Sequence, residues 1–494
     1  MNVREASLLM GADVKDAGAE LFDKQITDFS IDSRSVKAGE LFFALSQKDY
    51  ARAGFNGVFA DGHKFIESAL DSGAIAAVAR ADRVAGDQAL LALKDRLLLV
   101  DDAIVGLQTL AHRVYEGWGK PVIGITGSAG KTTAKELTAH VLSTNGQRVL
   151  KSERNYNNGL GLPLSVLRMV SAGRAPEQFD LAVLEMGMSS PTHEIRRLCE
   201  ITPPDIGVEL MIAPVHLEYL GSIENIAAAK AELIEGLKPG GVAVLNADDE
   251  WVIKMRQKHQ GRTITFGIEN AADVTAREID TGHLGVIKFR LQTPLGEAQA
   301  TLPMSGRHNL MNALAAAAVA TCFELKPAQI AAALSTAKPP RMRGEVLDFA
   351  AGFTVVDDSY NSNPRSLLNM VRTITEGGVN ARRRIVIAGE MLELGPDEAA
   401  LHREAGREIG RAGVSVLWGV RGLGAAIVAG AKEAGLNETR FFETSDKAAR
   451  ALVEEVREGD LVLVKGSRGV ATDRIVGAIR ERFALAGSDS RRQD

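Results

Sequence analysis

The sequence predicts an α/β protein of three units: a small N-terminal α/β unit, a central parallel sheet built around a phosphate loop, and a C-terminal doubly wound, Rossmann-like unit. Three observations predict it. A short β-branched run leads through glycines into a helical pattern, VIGITGSAGKTTAKELTAH over 122–140. Strand-like and helical segments alternate on both sides of that stretch. The alternation breaks at Lys338-Pro339-Pro340-Arg341, where two prolines cannot continue a helix, and then restarts. At 494 residues the chain is too long for one core, and the breaks divide it into 1–98, 99–338 and 339–494.

Composition narrows the classes of function. A net charge of -5 gives no reason to expect a polyanionic partner, so nucleic acid is not an expected ligand. Cys199 and Cys322 are the only cysteines, which excludes a disulfide framework or a cysteine zinc site. The N-terminus MNVREASLLMGADVKD has no signal-peptide core, and the alanine-rich stretch at 313–320 is too short to span a bilayer. A cytoplasmic monomer with no membrane insertion is expected.

In the first unit, strands are predicted at 29–31, 41–45, 74–78 and 97–100, with a helix over 64–72. Asp32-Ser33-Arg34 and Asp61-Gly62-His63 lie between them and, taken alone, read as solvated turns.

The central unit opens on the phosphate loop, Gly127-Ser128-Ala129-Gly130-Lys131-Thr132-Thr133. Small residues at the mouth of a helix let backbone N–H groups and the helix dipole meet a phosphate. Lys131 supplies a point charge for the β- and γ-phosphates, and Thr132 a hydroxyl for Mg²⁺. The longer G-x-x-x-x-G-K-[ST] pattern is not met, because Ile125 stands five residues before Gly130. Asn155-Tyr156-Asn157-Asn158-Gly159 concentrates side-chain amides, which suit either a turn or a sugar and peptide site. The buried strand predicted at 181–184 runs into Glu185, a carboxylate at the strand end that faces the ligand crevice of such a sheet. A strand at 206–210 leads to His216, which alone reads as a core histidine.

The helix predicted over 222–238 places Ile223, Ile226, Ala227, Leu233, Ile234 and Leu237 on one stripe, with Lys230 in its middle. A buried ammonium costs several kcal/mol unless it is neutralised or paired. Lys230 therefore either snorkels along the helix or sits uncharged and open to modification. Residues 271–304 read as an antiparallel ribbon at the edge of the unit. Gly306-Arg307-His308-Asn309 then opens the alanine-rich helix, where Asn309 serves either as a cap or as a ligand.

In the last unit, strands are predicted at 353–356, 385–388, 414–418 and 461–464. Polar clusters follow three of their ends: Asp357-Asp358-Ser359-Tyr360-Asn361, Glu390-Met391-Leu392-Glu393-Leu394-Gly395 and Lys465-Gly466-Ser467-Arg468-Gly469. Strand ends face ligands in such sheets, so three clusters favour a site. The polar tail from Gly487 is expected to be disordered.

These motifs together resemble the Mur ligase family over nearly the whole chain. The resemblance rests on DSRSVKAGELFFAL, DGHKFI, TGSAGKTT, RNYNNGLGLPLSVL, EMG, HLEYLGSIENIAAAKAE, GRHNLMNALAA, RMRGE, DDSYNSNP, EMLELG and KGSRG. DDSYNSNP with EMLELG points to the members that add D-alanyl-D-alanine to a UDP-N-acetylmuramoyl-tripeptide, rather than to relatives that add single amino acids. The resemblance implies ATP-driven amide formation through an acyl phosphate, with ATP and two Mg²⁺ ions, Lys131 and Lys230 as catalytic lysines, and His216 beside them. It implies a carbamylated Lys230 that joins Thr132, Glu185 and His216 as a metal ligand. It assigns Asn309, Arg341, Asp357 and Asn361 to the nucleotide, and Ser33, Arg34, Asn155 and Asn158 to the UDP-linked substrate. Three departures stand out: a longer stretch at 47–60, Met211 where an asparagine is usual, and Glu390 in place of an aspartate. A folylpolyglutamate-type ligase would lack the DSR and DGH clusters. A phosphate-loop switch would leave Lys230 and the strand-end clusters without purpose.

Overall fold

A computed structural model describes residues 1–55, 57–153, 156–188, 193–214, 217–378 and 380–486. Asn155, His216 and the tail from Gly487 lie outside the described residues.

Three sheets organise the chain. The first holds β1 (Phe29–Ser30), β2 (Leu41–Phe43), β3 (Ala76–Arg80) and β4 (Leu97–Val100) in that spatial order, all parallel. The second holds β5 (Val122–Thr126), β6 (Val149–Lys151), β7 (Leu181–Glu185), β8 (Ile206–Glu209), β9 (Val242–Asn246), β10 (Arg262–Gly267), β11 (Val274–His283), β12 (Val286–Thr293) and β13 (Gly296–Leu302). Its order is β13-β12-β11-β10-β9-β8-β5-β7-β6, parallel from β6 across to β11 and antiparallel from β11 to β13. The third holds β14 (Glu345–Asp348), β15 (Thr354–Asp358), β16 (Arg383–Gly389), β17 (Val416–Val420), β18 (Thr439–Phe442) and β19 (Asp460–Lys465), ordered β14-β15-β19-β16-β17-β18, with only β14 antiparallel.

The expected edge ribbon is present, but it continues the central sheet through the parallel pair β10–β11. Ile287, Phe289 and Leu291 of β12 are buried, while Lys288 is exposed and Arg290 half-buried, as their alternation requires. The expected helix over 64–72 divides into a 3₁₀ turn (Gly62–Phe65) and a helix (Ile66–Asp71). The one expected over 222–238 is Ile223–Glu235, begun by the Ser222 hydroxyl accepting from the Asn225 N–H. It stops at Gly236, three residues before Pro239, and a Cβ at Gly236 would lie 2.7 Å from that of Cys199. Close packing thus places a glycine at the helix end.

Both faces of the central sheet are covered. Ile123 and Ile125 face the helices Lys131–Thr144 and Arg307–Cys322, while Leu184 and Met186 pack with Ile226, Leu233 and Ile234 on the other face. Every residue from Ala313 to Ala320 is buried, and the small side chains let this helix lie close on Lys131–Thr144. Among the described residues no helix is long and apolar enough to cross a membrane.

Candidate functional site

The site is built at the C-terminal end of β5. Gly127 has φ +151°, and a Cβ there would stand 2.9 Å from the Leu210 Cβ. Gly130 has φ +87°, and a Cβ there would run into Asn312 Oδ1 of the alanine-rich helix. Both positions need glycine for conformation and for space. The loop is tied down by Ser128, whose N–H donates to Met211 O at 2.8 Å and whose hydroxyl donates to Ala213 O at 3.1 Å. The helix Lys131–Thr144 starts without a side-chain cap, which leaves its first N–H groups for an anion. Lys131 Nζ donates to Gly127 O at 2.8 Å, folded back over the loop. Desolvation lowers its pKa, opposed by the charge of Glu185.

Glu185 ends β7, the strand beside β5, and is 2 % exposed. The Thr132 hydroxyl donates to Glu185 Oε2 at 2.9 Å, and Asn157 Nδ2 donates to Oε1 at 2.8 Å. The Glu185 N–H is held by Ser152 Oγ at 3.0 Å. A hydroxyl and a carboxylate on neighbouring elements, at the mouth of a phosphate loop, are the donor set that phosphate-bound Mg²⁺ takes from a protein. The residues present therefore fit that ion.

Across the sheet, Lys230 sits between the buried Ile226 and Ile234 and is itself 2 % exposed. Burial, with Lys131 adding repulsion, pushes its ammonium down to about 7. Opposite it, Glu209 ends β8 in register with Thr126 and is fully buried. Neither of its carboxylate oxygens has a hydrogen-bond partner among the described residues. Burial pushes its carboxyl up to about 8, against the pull of Lys230. Sequence reading passed over Glu209 because it continues a strand.

The three strand-end clusters of the last sheet meet. Lys465 Nζ holds Asp358 Oδ2 at 2.5 Å and donates to Asn361 O at 2.8 Å. The Ser467 N–H donates to Glu390 O at 3.2 Å, and its hydroxyl accepts from the Leu392 N–H at 3.0 Å. Asp357 is buried, accepts from the Ser359 N–H and hydroxyl, and has its pKa raised by burial. Glu390 accepts from the Leu423 N–H at 2.9 Å, bridging to the next loop. Met391 N–H donates to the buried His402.

Arg343 joins this sheet to the phosphate loop. Its guanidinium lies 3.9 Å from the Tyr360 ring centre, and Nη2 donates to Thr132 Oγ1 at 3.3 Å. Arg341, two residues earlier, is exposed, and so is Asn361. Asn309 is buried and donates to Ser305 O at 2.8 Å, within reach of the Gly344 backbone, where a Cβ would stand 3.8 Å from its Nδ2.

In the first unit Arg34 is exposed and forks onto Asp32 at 2.7 and 2.8 Å, with Ser33 half-buried beside it. His63 is buried between Asp61 Oδ1 (2.7 Å) and the Arg80 N–H (3.0 Å). Asn158 Oδ1 accepts from the N–H groups of Leu160 and Gly161, holding the start of the helix Gly161–Leu167. The long stretch at 47–60 anchors through buried Asp49 paired with Arg80, while Arg197 donates to Ala53 O. It packs Tyr50 tilted against Phe55 and edge-on to Phe59, both at 4.9 Å between ring centres. Phe55 in turn lies against Gly159 of the amide cluster.

Comparison with known proteins agrees with this geometry. Residues 125–320 match the model of the Mur ligase middle domain, and 342–468 that of the Mur ligase, glutamate ligase domain. UDP-N-acetylmuramoyl-tripeptide--D-alanyl-D-alanine ligase of Bacillus subtilis (strain 168) is 34% identical over 446 residues, covering 90% of this chain and 91% of that protein. A crystal structure of MurF from Acinetobacter baumannii superposes with a TM-score of 0.83 at 25% identity, over 97% of this chain and 98% of that one. MurF ligase from Thermotoga maritima in complex with ADP gives 0.75 at 27% identity, over 93% and 98%.

Proposed function

The chain belongs to the Mur ligase family, and from that premise we propose that it joins D-alanyl-D-alanine to a UDP-N-acetylmuramoyl-tripeptide at the expense of ATP, completing a pentapeptide precursor of peptidoglycan. The observation that carries this reading is the junction at Arg343, which links the strand-end clusters of the last sheet to Thr132 of the phosphate loop. A nucleotide switch needs the loop alone; a ligase needs the loop and a second substrate site in one crevice. ATP and a UDP-linked substrate place the work in the cytoplasm.

In the proposed reaction the terminal carboxylate of the tripeptide attacks the γ-phosphorus in line, giving an acyl phosphate and ADP. The amine of the dipeptide attacks the activated carbonyl, and phosphate leaves from the tetrahedral intermediate. Lys131 exchanges Gly127 O for phosphate oxygens, and the uncapped helix start meets the same charge. Thr132 and Glu185 would hold one Mg²⁺; His216 and a carbamylated Lys230 would join Glu185 around a second. Bound there, the two ions would neutralise charge on the transferring phosphoryl group. The amine of Lys230 suits carbamylation because burial favours its neutral form: its lone pair bonds the carbon of CO₂, and one amine proton leaves to solvent. Arg343 and Asn309 flank the nucleotide with Arg341, Asp357 and Asn361. Ser33, Arg34, Asn155 and Asn158 take the UDP-linked substrate. The units at 1–98, 99–338 and 339–494 thus bind the sugar nucleotide, ATP and the dipeptide in turn, and closure of the third excludes water from the acyl phosphate.

The test is phosphate release from ATP with the tripeptide substrate and D-alanyl-D-alanine added separately and together, with the product weighed. Release that needs both, with a pentapeptide product, bears the proposal out. Release with a single amino acid assigns a sibling ligase, and no release revives the switch.

A further inference from the structure

The loop from Glu390 to Gly395 carries one of the three strand-end clusters, and its shape is held by bonds that the reaction as derived so far does not use. Glu393 and Gly395 have φ +64° and +77°, so the chain passes through the left-handed region at both positions and needs outside support. Met391 is fully buried in the core beneath the sheet, whereas Leu392 is 39 % exposed. Leu392 lies on Gly469 of the neighbouring cluster, where a Cβ would stand 2.9 Å from its Cδ1. An open apolar side chain thus sits where two clusters meet. Two backbone N–H groups fix it there. That of Leu392 donates to Ser467 Oγ at 3.0 Å, and that of Met391 donates to Nε2 of His402 at 2.8 Å. His402 comes from the helix Glu398–Arg411 and is fully buried. Its other ring nitrogen, Nδ1, lies 2.6 Å from Glu398 O. A backbone N–H only donates and a carbonyl only accepts, so the two partners fix the ring as the neutral tautomer with its proton on Nδ1. Both nitrogens are occupied and the ring is closed to solvent, so His402 acts on a ligand only through the loop.

We propose that His402 is a positioning residue for the dipeptide: by accepting the Met391 N–H it holds the loop in the shape that presents Leu392 to the small apolar side chains of D-alanyl-D-alanine. The inference rests on the reading of the strand-end clusters as the dipeptide's site. Without the ring nitrogen the Met391 N–H would be buried with no acceptor, and the loop would give up its shape for others in which water satisfies that group. The dipeptide would then bind only the fraction of molecules in which the loop is formed, and its apparent affinity would fall by that fraction. The base of the loop would stay in place, because Glu390 accepts from the Leu423 N–H through its side chain and from the Ser467 N–H through its carbonyl. ATP meets the phosphate loop instead, so the effect falls on the dipeptide.

The experiment is steady-state kinetics of the full-length protein and of His402→Leu, His402→Gln and His402→Asn, with each substrate varied in turn and a thermal melt of every variant. Glutamine carries an amide oxygen to where Nε2 stands and accepts the Met391 N–H. Asparagine reaches only as far as Nδ1 and leaves that N–H bare, and leucine removes both bonds. KM for D-alanyl-D-alanine is expected to rise about 5- to 100-fold in His402→Leu and His402→Asn and to stay within about threefold in His402→Gln, the cost of one buried N–H left without an acceptor. The kcat at saturating dipeptide, and KM for ATP and for the UDP-linked substrate, are expected to hold. An unchanged dipeptide KM in His402→Leu, or an equal rise in every KM, overturns the role and leaves the dipeptide reading standing. A wild-type protein that turns over ATP with no need of the dipeptide overturns that reading and this role with it. Should His402→Leu not fold, the two amides decide: a raised dipeptide KM in His402→Asn alone supports the role, and equal values in both variants overturn it.

Discussion

The Thr132 hydroxyl donates to Glu185 Oε2 across 2.9 Å, tying the first turn of the phosphate-loop helix to the end of the neighbouring strand. The contact sets the hydroxyl and the carboxylate side by side at the mouth of the phosphate loop, where the two would hold a Mg²⁺ that neutralises phosphate charge. Glu185→Gln keeps the size and loses the charge. It should cost more than the ~10–100-fold in metal affinity that outer partners cost, with the fold intact. Mg²⁺ titration of ADP formation checks this; an unchanged Mg²⁺ requirement would remove Glu185 from the ion.

Arg343 and Arg341 separate cleanly by geometry. Only Arg343 combines the Tyr360 stack with the contact to Thr132. An arginine delivered to a phosphoryl group from another unit is worth about 10³–10⁵ in kcat. Arg343→Ala is expected to approach that loss in single-turnover ADP formation, and Arg341→Ala to fall far short of it. Equal losses would erase the distinction.

What could be read in the sequence follows from what leaves a local pattern. The phosphate loop was legible because strand, glycines, lysine and hydroxyl are consecutive, and Lys230 because it interrupts a periodic apolar stripe. Arg343 was not. Met342 between the two arginines has φ +60°, a left-handed conformation that no composition rule places. Glu209 was missed because a glutamate after Ile-Gly-Val reads as an ordinary strand end, and its isolation depends on residues 20 to 80 positions away. The edge strand β18 was missed because Thr439 and Phe442 are only half-buried and Arg440 and Phe441 exposed, so no apolar alternation marks it.

The carbamate reading of Lys230 predicts a pH limb in the activity. Its ammonium form is held down to about 7 by burial, so the neutral, carbamylable amine gives way to the cation as pH falls through that value. Activity is expected to drop below about pH 7 and to be partly restored there by added bicarbonate, by mass action. Lys230→Ala is expected to lose activity at every pH, with no rescue. A low-pH limb indifferent to bicarbonate, or a folded Lys230→Ala enzyme near normal activity, would count against the carbamate.

Glu209 gives stability a pH dependence of the opposite origin. Its carboxyl, ordinarily 4.5, is pushed up to about 8 by burial. Between those values the folded state holds a proton that the unfolded state has released, so stability falls as pH rises through the window. Lys230, lowered from 10.5 to about 7, works the other way: the unfolded chain is the one holding the extra proton, and stability rises with pH above about 7. The Glu209 contribution is therefore isolated between pH 5 and 7, below the Lys230 window. Glu209→Leu removes the titrating group, and its denaturation midpoint should gain on wild type as pH goes from 5 to 7. The gain should reach about 2–3 kcal/mol, roughly 1.4 kcal/mol for each pH unit over which only the folded state holds the proton. Urea melts of the two proteins at pH 5, 6 and 7 measure it; parallel curves across that range would mean that Glu209 does not titrate there.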